Sequence, residues 1–346
     1  MGASFVEQPL ARAVRVRRRL GLAIAVIGFA VPMAGCRLPA THLENSAPSN
    51  CADCHREIVG QWEESAHSRA WTNPQFVAAT DGRRNEACLP CHAPNPLLEQ
   101  PPTDPPQLRA TRRESGVDCQ ACHSVACAYA GPYRSWGPHP VKKDRTRLPC
   151  SALCGSCHTV EYEEYLSLYA PVAEAAGEHR QCATCHMPAG ISRLTQGHVL
   201  SYAHPRRIVH DHSLAGWTDH RPEGVVGIGP VASRRRADNQ LEVNFTLTNC
   251  GAGHRIPTGR FGQGELRILV AVLGADGLTL GLNELALLPG DPRSLAPGRP
   301  APFSLGVRIP ESSQPAMVRV LVERAERERS MRYPLASGEW PAPSGP

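Results

Sequence analysis

With 14 Cys and 15 His in 346 residues, the chain is too long for a small disulfide-stapled module, and the spacing of these two residue types is its most informative feature. The net charge of +5, from 37 Lys and Arg against 32 Asp and Glu, excludes a strongly basic nucleic-acid binder. Lysine occurs only as Lys142 and Lys143, so the basicity is almost all Arg and follows composition bias rather than a binding surface.

At the N-terminus, Arg12, Arg15, Arg17, Arg18 and Arg19 precede an apolar run from Leu20 to Val31. That run is shorter than a membrane span and has the length of a signal-peptide hydrophobic region. It leads into Pro32-Met33-Ala34-Gly35-Cys36, which resembles a bacterial lipobox with Met33 where Leu is usual. A signal peptide is expected over 1–36, with Cys36 as lipid anchor tethering the chain to a membrane face; ordinary cleavage nearby and an uncleaved anchor are the alternatives. Export to the periplasm, or an outer-membrane lipoprotein, follows. Removal of 1–36 lowers the formal charge from +5 to +1, and residues 37–50 read as a polar linker.

From residue 51 onward one pattern recurs five times. The copies are Cys51-x-x-Cys54-His55, Cys88-x-x-Cys91-His92, Cys119-x-x-Cys122-His123, Cys154-x-x-Cys157-His158 and Cys182-x-x-Cys185-His186. C-x-x-C-H is the attachment signature of c-type haem: both thiols add to the porphyrin vinyl groups and the His becomes the proximal iron ligand. A zinc site would not need a His after every pair, and a disulfide framework would not keep such uniform spacing. Five covalent haems are therefore expected over a domain at 51–222. Its short, Pro- and Gly-rich intervals cannot build a conventional core, so the macrocycles must supply the apolar mass and must lie close together.

Within this domain the pattern predicts helices over Arg56–Trp71 and Val160–Ala176 and a Pro-laden surface loop over Pro94–Thr111. The motif intervals are irregular, which excludes a solenoid. Beyond about Gly224 the motifs stop. Alternating apolar segments at Leu241–Thr248, Leu266–Leu273, Phe303–Ile309 and Met317–Glu323 predict a small antiparallel β-sandwich of immunoglobulin-like type over 223–335, followed by a tail at 336–346. The fold class is thus α+β: a mostly helical and looped haem domain followed by a β-domain.

Each iron needs a sixth ligand or an open face. Non-motif histidines suffice for bis-His coordination, whereas Met187 directly follows a proximal His and Met317 and Met331 fall in the β-domain. His/Met ligation raises haem potential, so low-potential haems are expected. A regular helix would place His67 about 18 Å along its axis from His55, so the two cannot share an iron and His67 is expected to serve another haem. His139 is the next distal candidate. After the last motif come His198, His204, His210, His212 and His220, with His212 preferred over His210 and with His198 or His204 able to supply another ligand. His254 stands in Asn249-Cys250-Gly251-Ala252-Gly253-His254, where Gly allows close approach to a flat partner; docking on a haem and a turn-internal role remain equal alternatives. His42 and His179 are taken as peripheral. Of the remaining thiols, Cys127 and Cys150 can pair across one loop and Cys250 is then left free.

Cys51-Ala52-Asp53-Cys54-His55 with Trp62, Ser65, His67 and Ala70, then Gly116-Val117-Asp118-Cys119, Gly131-Pro132-Tyr133 and Cys185-His186-Met187-Pro188, resemble the multihaem cytochromes of the c-552/c-554 type. The resemblance spans about 50–216, and the Gly253-His254-x-x-Pro257-Thr258-Gly259 turn is similar to one in relatives with an appended β-domain. It implies stacked and edge-on haem pairs, and either electron transfer or redox chemistry on a small nitrogen or sulfur compound. The chain departs from the pentahaem nitrite reductase pattern, because no motif replaces its proximal His with Lys. Electron transfer between quinol-linked or periplasmic redox partners is the expected function. A reductase acting at one open haem, and a docking subunit of a respiratory complex, are the alternatives.

Overall fold

The computed structural model describes residues 47–343, apart from residues 103, 135–138, 149, 179, 197–198, 215–223, 237, 260–263 and 327–330. The expected signal peptide, Cys36, His42, His179, His198 and His220 lie outside the described residues. No described helix is long and apolar enough to cross a membrane.

Among the described residues of 48–214 are short helices joined by turns, a small sheet of Ser124–Val125, Ala128–Gly131 and Val141–Lys143, and the hairpin Ala189–Arg193/Arg206–His210. Cys119–His123 and Cys182–His186 each hold a whole C-x-x-C-H motif on one helical turn, and Pro48–Ala52, Leu89–His92 and Ser151–Gly155 each hold part of one. On such a turn the two thiols at i and i+3 and the imidazole at i+4 share one face. The first of these turns begins inside the predicted linker 37–50, at Pro48.

Two predicted helices differ in detail. The first ends at Glu64, not Trp71, because Ser65 turns extended (ψ 160°). The Ser65 hydroxyl donates to the Trp62 carbonyl and the Ser68 hydroxyl to Glu63 and Ser65, drawing the chain into turns. The second runs as Thr159–Glu164, a π turn over Tyr165–Tyr169, and Ala170–Ala175. Pro171 has no N–H for the regular ladder, and a wide turn immediately before it accommodates that loss. The segment Pro94–Thr111 is not wholly surface: Leu97 and Leu98 are buried with Ala130 and Leu153. That small cluster is far too little apolar mass for a domain of this length.

Among its described residues the β-domain has eight strands: β1 (Val226–Ile228), β2 (Ala232–Arg235), β3 (Gln240–Asn249), β4 (Gly264–Gly274), β5 (Thr279–Leu287), β6 (Pro300–Arg308), β7 (Pro315–Glu326) and β8 (Met331–Pro341). One antiparallel sheet has the order β5-β4-β7-β8; the other has β6-β3-β1, with β2 also on β3. Alternation sends Leu241, Val243, Phe245 and Leu247 of β3 inward against Ile268, Val270 and Val272 of β4 and Val318, Val320 and Val322 of β7. Phe245 and Phe303 stack across the β3–β6 pair, 5.8 Å between centroids. The predicted boundary at 335 is too early: β8 runs to Pro341, and Ala336 and Trp340 pack on the core. Ile268 is fully buried at the centre of this core. Ile268→Ala is expected to destabilise the β-domain by about 3 kcal/mol, measured by denaturant unfolding, without changing the haem stoichiometry.

Candidate functional site

Four of the motif histidines are half-buried and His158 is exposed, and four of the five face a second imidazole. His55 lies opposite His139 with 6.3 Å between ring centroids, His158 opposite His67 at 6.1 Å, His123 opposite His212 at 6.1 Å and His186 opposite His254 at 6.3 Å. Metal–imidazole bonds of about 2.0 Å on both sides of one metal place two ring centroids roughly 6 Å apart. The described residues hold no group of three or more His, Cys, Asp or Glu arranged to bind a metal ion. Opposed imidazole pairs, each with a C-x-x-C thiol pair beside it, fit haem iron and not tetrahedral zinc.

Hydrogen bonds fix how several rings present themselves. The Nδ1 of His55 bonds the Leu194 carbonyl at 2.6 Å, that of His92 the Ala70 carbonyl at 2.6 Å and that of His123 the Ala130 carbonyl at 2.9 Å. Among the opposed rings, His212 bonds the His210 carbonyl at 2.7 Å and His254 the Arg255 carbonyl at 2.9 Å. Donation from Nδ1 leaves the Nε2 lone pair free for a metal. Burial, then the neighbouring imidazoles, pulls His67, His186 and His212 down to about 4. Burial also lowers His92, His123 and His139. These rings are neutral at pH 7, the state that binds iron.

His67 is placed by two features. Val117 N–H donates to its carbonyl at 3.0 Å, and Gly116, at φ +62°, sits where a Cβ would collide with that same carbonyl oxygen. Asp118 then caps the third motif helix. Its Oδ1 accepts from Gln120 and Ala121 N–H, and its Oδ2 lies 2.8 Å from Arg109 and 3.4 Å from Arg112. In the fourth motif Gly155 lies against the Tyr162 ring, so closely that a Cβ there would overlap it.

The motifs touch one another through their thiols. Cys51 lies beside Cys119, Cys91 beside Cys157 and Cys154 beside Cys182. Cys122, pushed up to about 11 by burial, is electrostatically coupled to Cys154 and Cys157. The first motif thus abuts the third, the third faces the fourth, and the second and fifth both abut the fourth.

His92 differs from the other four. No described imidazole lies opposite it; instead Phe76 stacks flat on its ring at 3.6 Å and 8°. Trp71 lies behind Phe76, with the guanidinium groups of Arg83 and Arg113 over its faces at 5.1 and 5.8 Å. Of the other sequence candidates, His210, at the end of the hairpin Ala189–Arg193/Arg206–His210, donates from Nδ1 to the Met187 carbonyl at 2.7 Å, and His204 sits at the hairpin's approach; neither faces a described motif imidazole. Phe76 and the Asp118 ion pairs were not singled out from the sequence. An Asp directly before a C-x-x-C-H helix is a legible N-cap, whereas nothing local marks Phe76.

Residues 50–124 match the family model "Cytochrome c554 and c-prime". A crystal structure of a penta-haem cytochrome c552 from Thermochromatium tepidum superposes over 86% of this chain and 98% of that one, with a TM-score of 0.56 at 17% identity. IrmA from Escherichia coli matches 32% of this chain and 84% of its own, at 16% identity and a TM-score of 0.20. No curated protein sequence matches. At 86% of this chain, the superposition with the cytochrome c552 takes in both short helices of the motif region and the antiparallel sheets described above. Over residues 50–124 the chain is similar to the cytochrome c554 and c-prime family, and over most of its length its fold is similar to that of a penta-haem cytochrome c552.

Proposed function

We propose that the chain is an exported pentahaem electron carrier in which the irons at the first, third, fourth and fifth motifs each lie between two imidazoles. The carrying observation is the set of four opposed rings at 6.1–6.3 Å: His55/His139, His158/His67, His123/His212 and His186/His254. When bound, haem iron would supply a low-potential one-electron redox couple that amino-acid side chains lack. The protein's part is to hold each imidazole neutral and oriented, to exclude water from the ring pairs, and to bring the thiol edges of the motifs into contact so that electrons cross short gaps. The contacts order the motifs as first–third–fourth, with the second and fifth branching from the fourth. Quinol-linked or periplasmic redox proteins are the proposed partners, and a lipid on Cys36 is the proposed tether.

A second reading rests on His92. With no described imidazole opposite, its iron would be open to a small nitrogen or sulfur compound, and a reductase activity would be seated there. The β-domain, read as an immunoglobulin-like sandwich, serves as more than a docking module in this proposal, because it contributes His254.

The purified oxidised protein at pH 7 is expected to give an EPR spectrum with four low-spin irons and one high-spin iron, and the reduced protein to bind one CO. Five low-spin irons and no CO binding would remove the open site and leave only the carrier. Two or more high-spin irons would overturn the paired rings.

A further inference from the structure

His254 belongs to the β-domain, yet it faces a motif of the other domain, so something must hold the turn in place across that junction. One side chain of the haem domain does so. Glu164 closes the helix Thr159–Glu164, whose N-cap is His158. Its Oε2 accepts the backbone N–H of Arg255 at 2.9 Å and the hydroxyl of Thr258 at 2.7 Å, and its Oε1 lies 3.8 Å from the Arg255 guanidinium. The residue so gripped is the immediate neighbour of His254, and the His254 ring in turn bonds the Arg255 carbonyl at 2.9 Å. The Glu164 side chain is only 19% exposed.

The rest of the turn is shaped for the same seat. The position a Cβ would take on Gly253 lies 3.4–3.5 Å from the rings of Tyr169 and Tyr165, so the backbone rests directly on the π turn. Asn249 is 1% exposed; it donates to the His254 carbonyl at 2.8 Å and accepts from Ala252 N–H at 2.9 Å. Within the β-domain the turn is therefore held by Asn249, and between the domains by Glu164. A carboxylate that takes two donors on one oxygen fixes direction as well as distance, because both hydrogen bonds must be satisfied together.

We propose that Glu164 is the positioning residue for the sixth ligand of the fifth haem: by holding Arg255 and Thr258 it sets the His254 imidazole opposite His186. This rests on the reading that His186 and His254 are an axial pair. Because the same helix starts at His158, the grip also ties the fourth and fifth iron sites into one body. The effect of losing it is a loss of ligation at one iron, not a loss of haem, since Cys182 and Cys185 hold the macrocycle independently.

The test uses the full haem-loaded chain and reads EPR spin state and CO stoichiometry, neither of which depends on turnover. Relative to wild type, His254→Ala is expected to add one high-spin iron and one CO site. Glu164→Ala is expected to add a large fraction of that same gain. Glu164→Gln, whose amide oxygen still accepts both donors, is expected to restore the wild-type spectrum. Thr258→Val, which removes one donor and leaves the helix untouched, is expected to give a smaller gain than Glu164→Ala, and it serves as the test if Glu164→Ala does not accumulate. A gain with His254→Ala but none with Glu164→Ala or Thr258→Val overturns the positioning role alone. So does equal damage from Glu164→Gln and Glu164→Ala. No gain with His254→Ala overturns the axial pair itself.

Discussion

Replacing His67 with alanine is expected to leave haem attached at Cys154 and Cys157 while turning that iron from low-spin to high-spin and adding one CO site per protein. The His67 ring is buried, is pulled down to about 4 chiefly by desolvation, and faces His158 at 6.1 Å. A surface imidazole would have none of these features. The chain around it is arranged for this ring: Gly116 makes room for its carbonyl and Val117 N–H holds it. His204→Ala is the control, because His204 faces no motif imidazole, and it is expected to leave the spectrum unchanged. Because the fourth motif touches the second and fifth and is coupled to the third, the same variant is expected to slow electron exchange across the whole set, as read by stopped-flow reduction. An unchanged low-spin count in His67→Ala would reassign the partner of His158.

Asp118→Ala is expected to cost about 3–5 kcal/mol of stability, the range for removing one partner of a buried ion pair. Asp118 has a side chain 1% exposed, and its partners Arg109 and Arg112 are 7% and 15% exposed. Burial already pulls Arg109 below its ordinary pKa, and the Asp118 charge is the leading influence that offsets this. Without the carboxylate two guanidinium groups remain with too little counter-charge, and the Cys119–His123 helix loses the cap on Gln120 and Ala121 as well. Asp118→Asn keeps the cap and loses the charge, so it is expected to fall between wild type and Asp118→Ala. Denaturant unfolding measures the ranking, and a lower yield of haem at Cys119 and Cys122 is expected to accompany it. If Asp118→Ala unfolds at the wild-type midpoint, the ion pairs contribute nothing net.

The proximal half of each site was plain in the sequence because attachment chemistry needs Cys, Cys and His at fixed local spacing, and one helical turn presents them together. The distal half is long-range. Nothing around His139 or His212 states which motif it will face, and only packing brings His55 to the one and His123 to the other. His254 was balanced between two roles for the same reason: its Gly-rich turn is legible, whereas the Tyr165 and Tyr169 seat is not. In the β-domain, alternation marked four strands that are buried on one face. It missed β1 and β2, which are too short to show a period, and β5 and β8, sheet-edge strands whose patterns are interrupted by Gly281, Pro334 and Gly338. The early stop of the predicted first helix lies in Ser65 and Ser68, whose hydroxyls compete with the helical ladder.

The four ring pairs also overlap along the chain. The span from His55 to His139 overlaps that from His67 to His158, which overlaps His123 to His212, which overlaps His186 to His254. With each pair joined through an iron, these are four interlocked loops, and loop closure grows costly only slowly with length, by about 0.6 kcal/mol per doubling. A single cut of the backbone anywhere between His55 and His254 is then bridged by at least one ligated pair. The two pieces stay together, and a nicked molecule keeps its haems in register without an intact polypeptide.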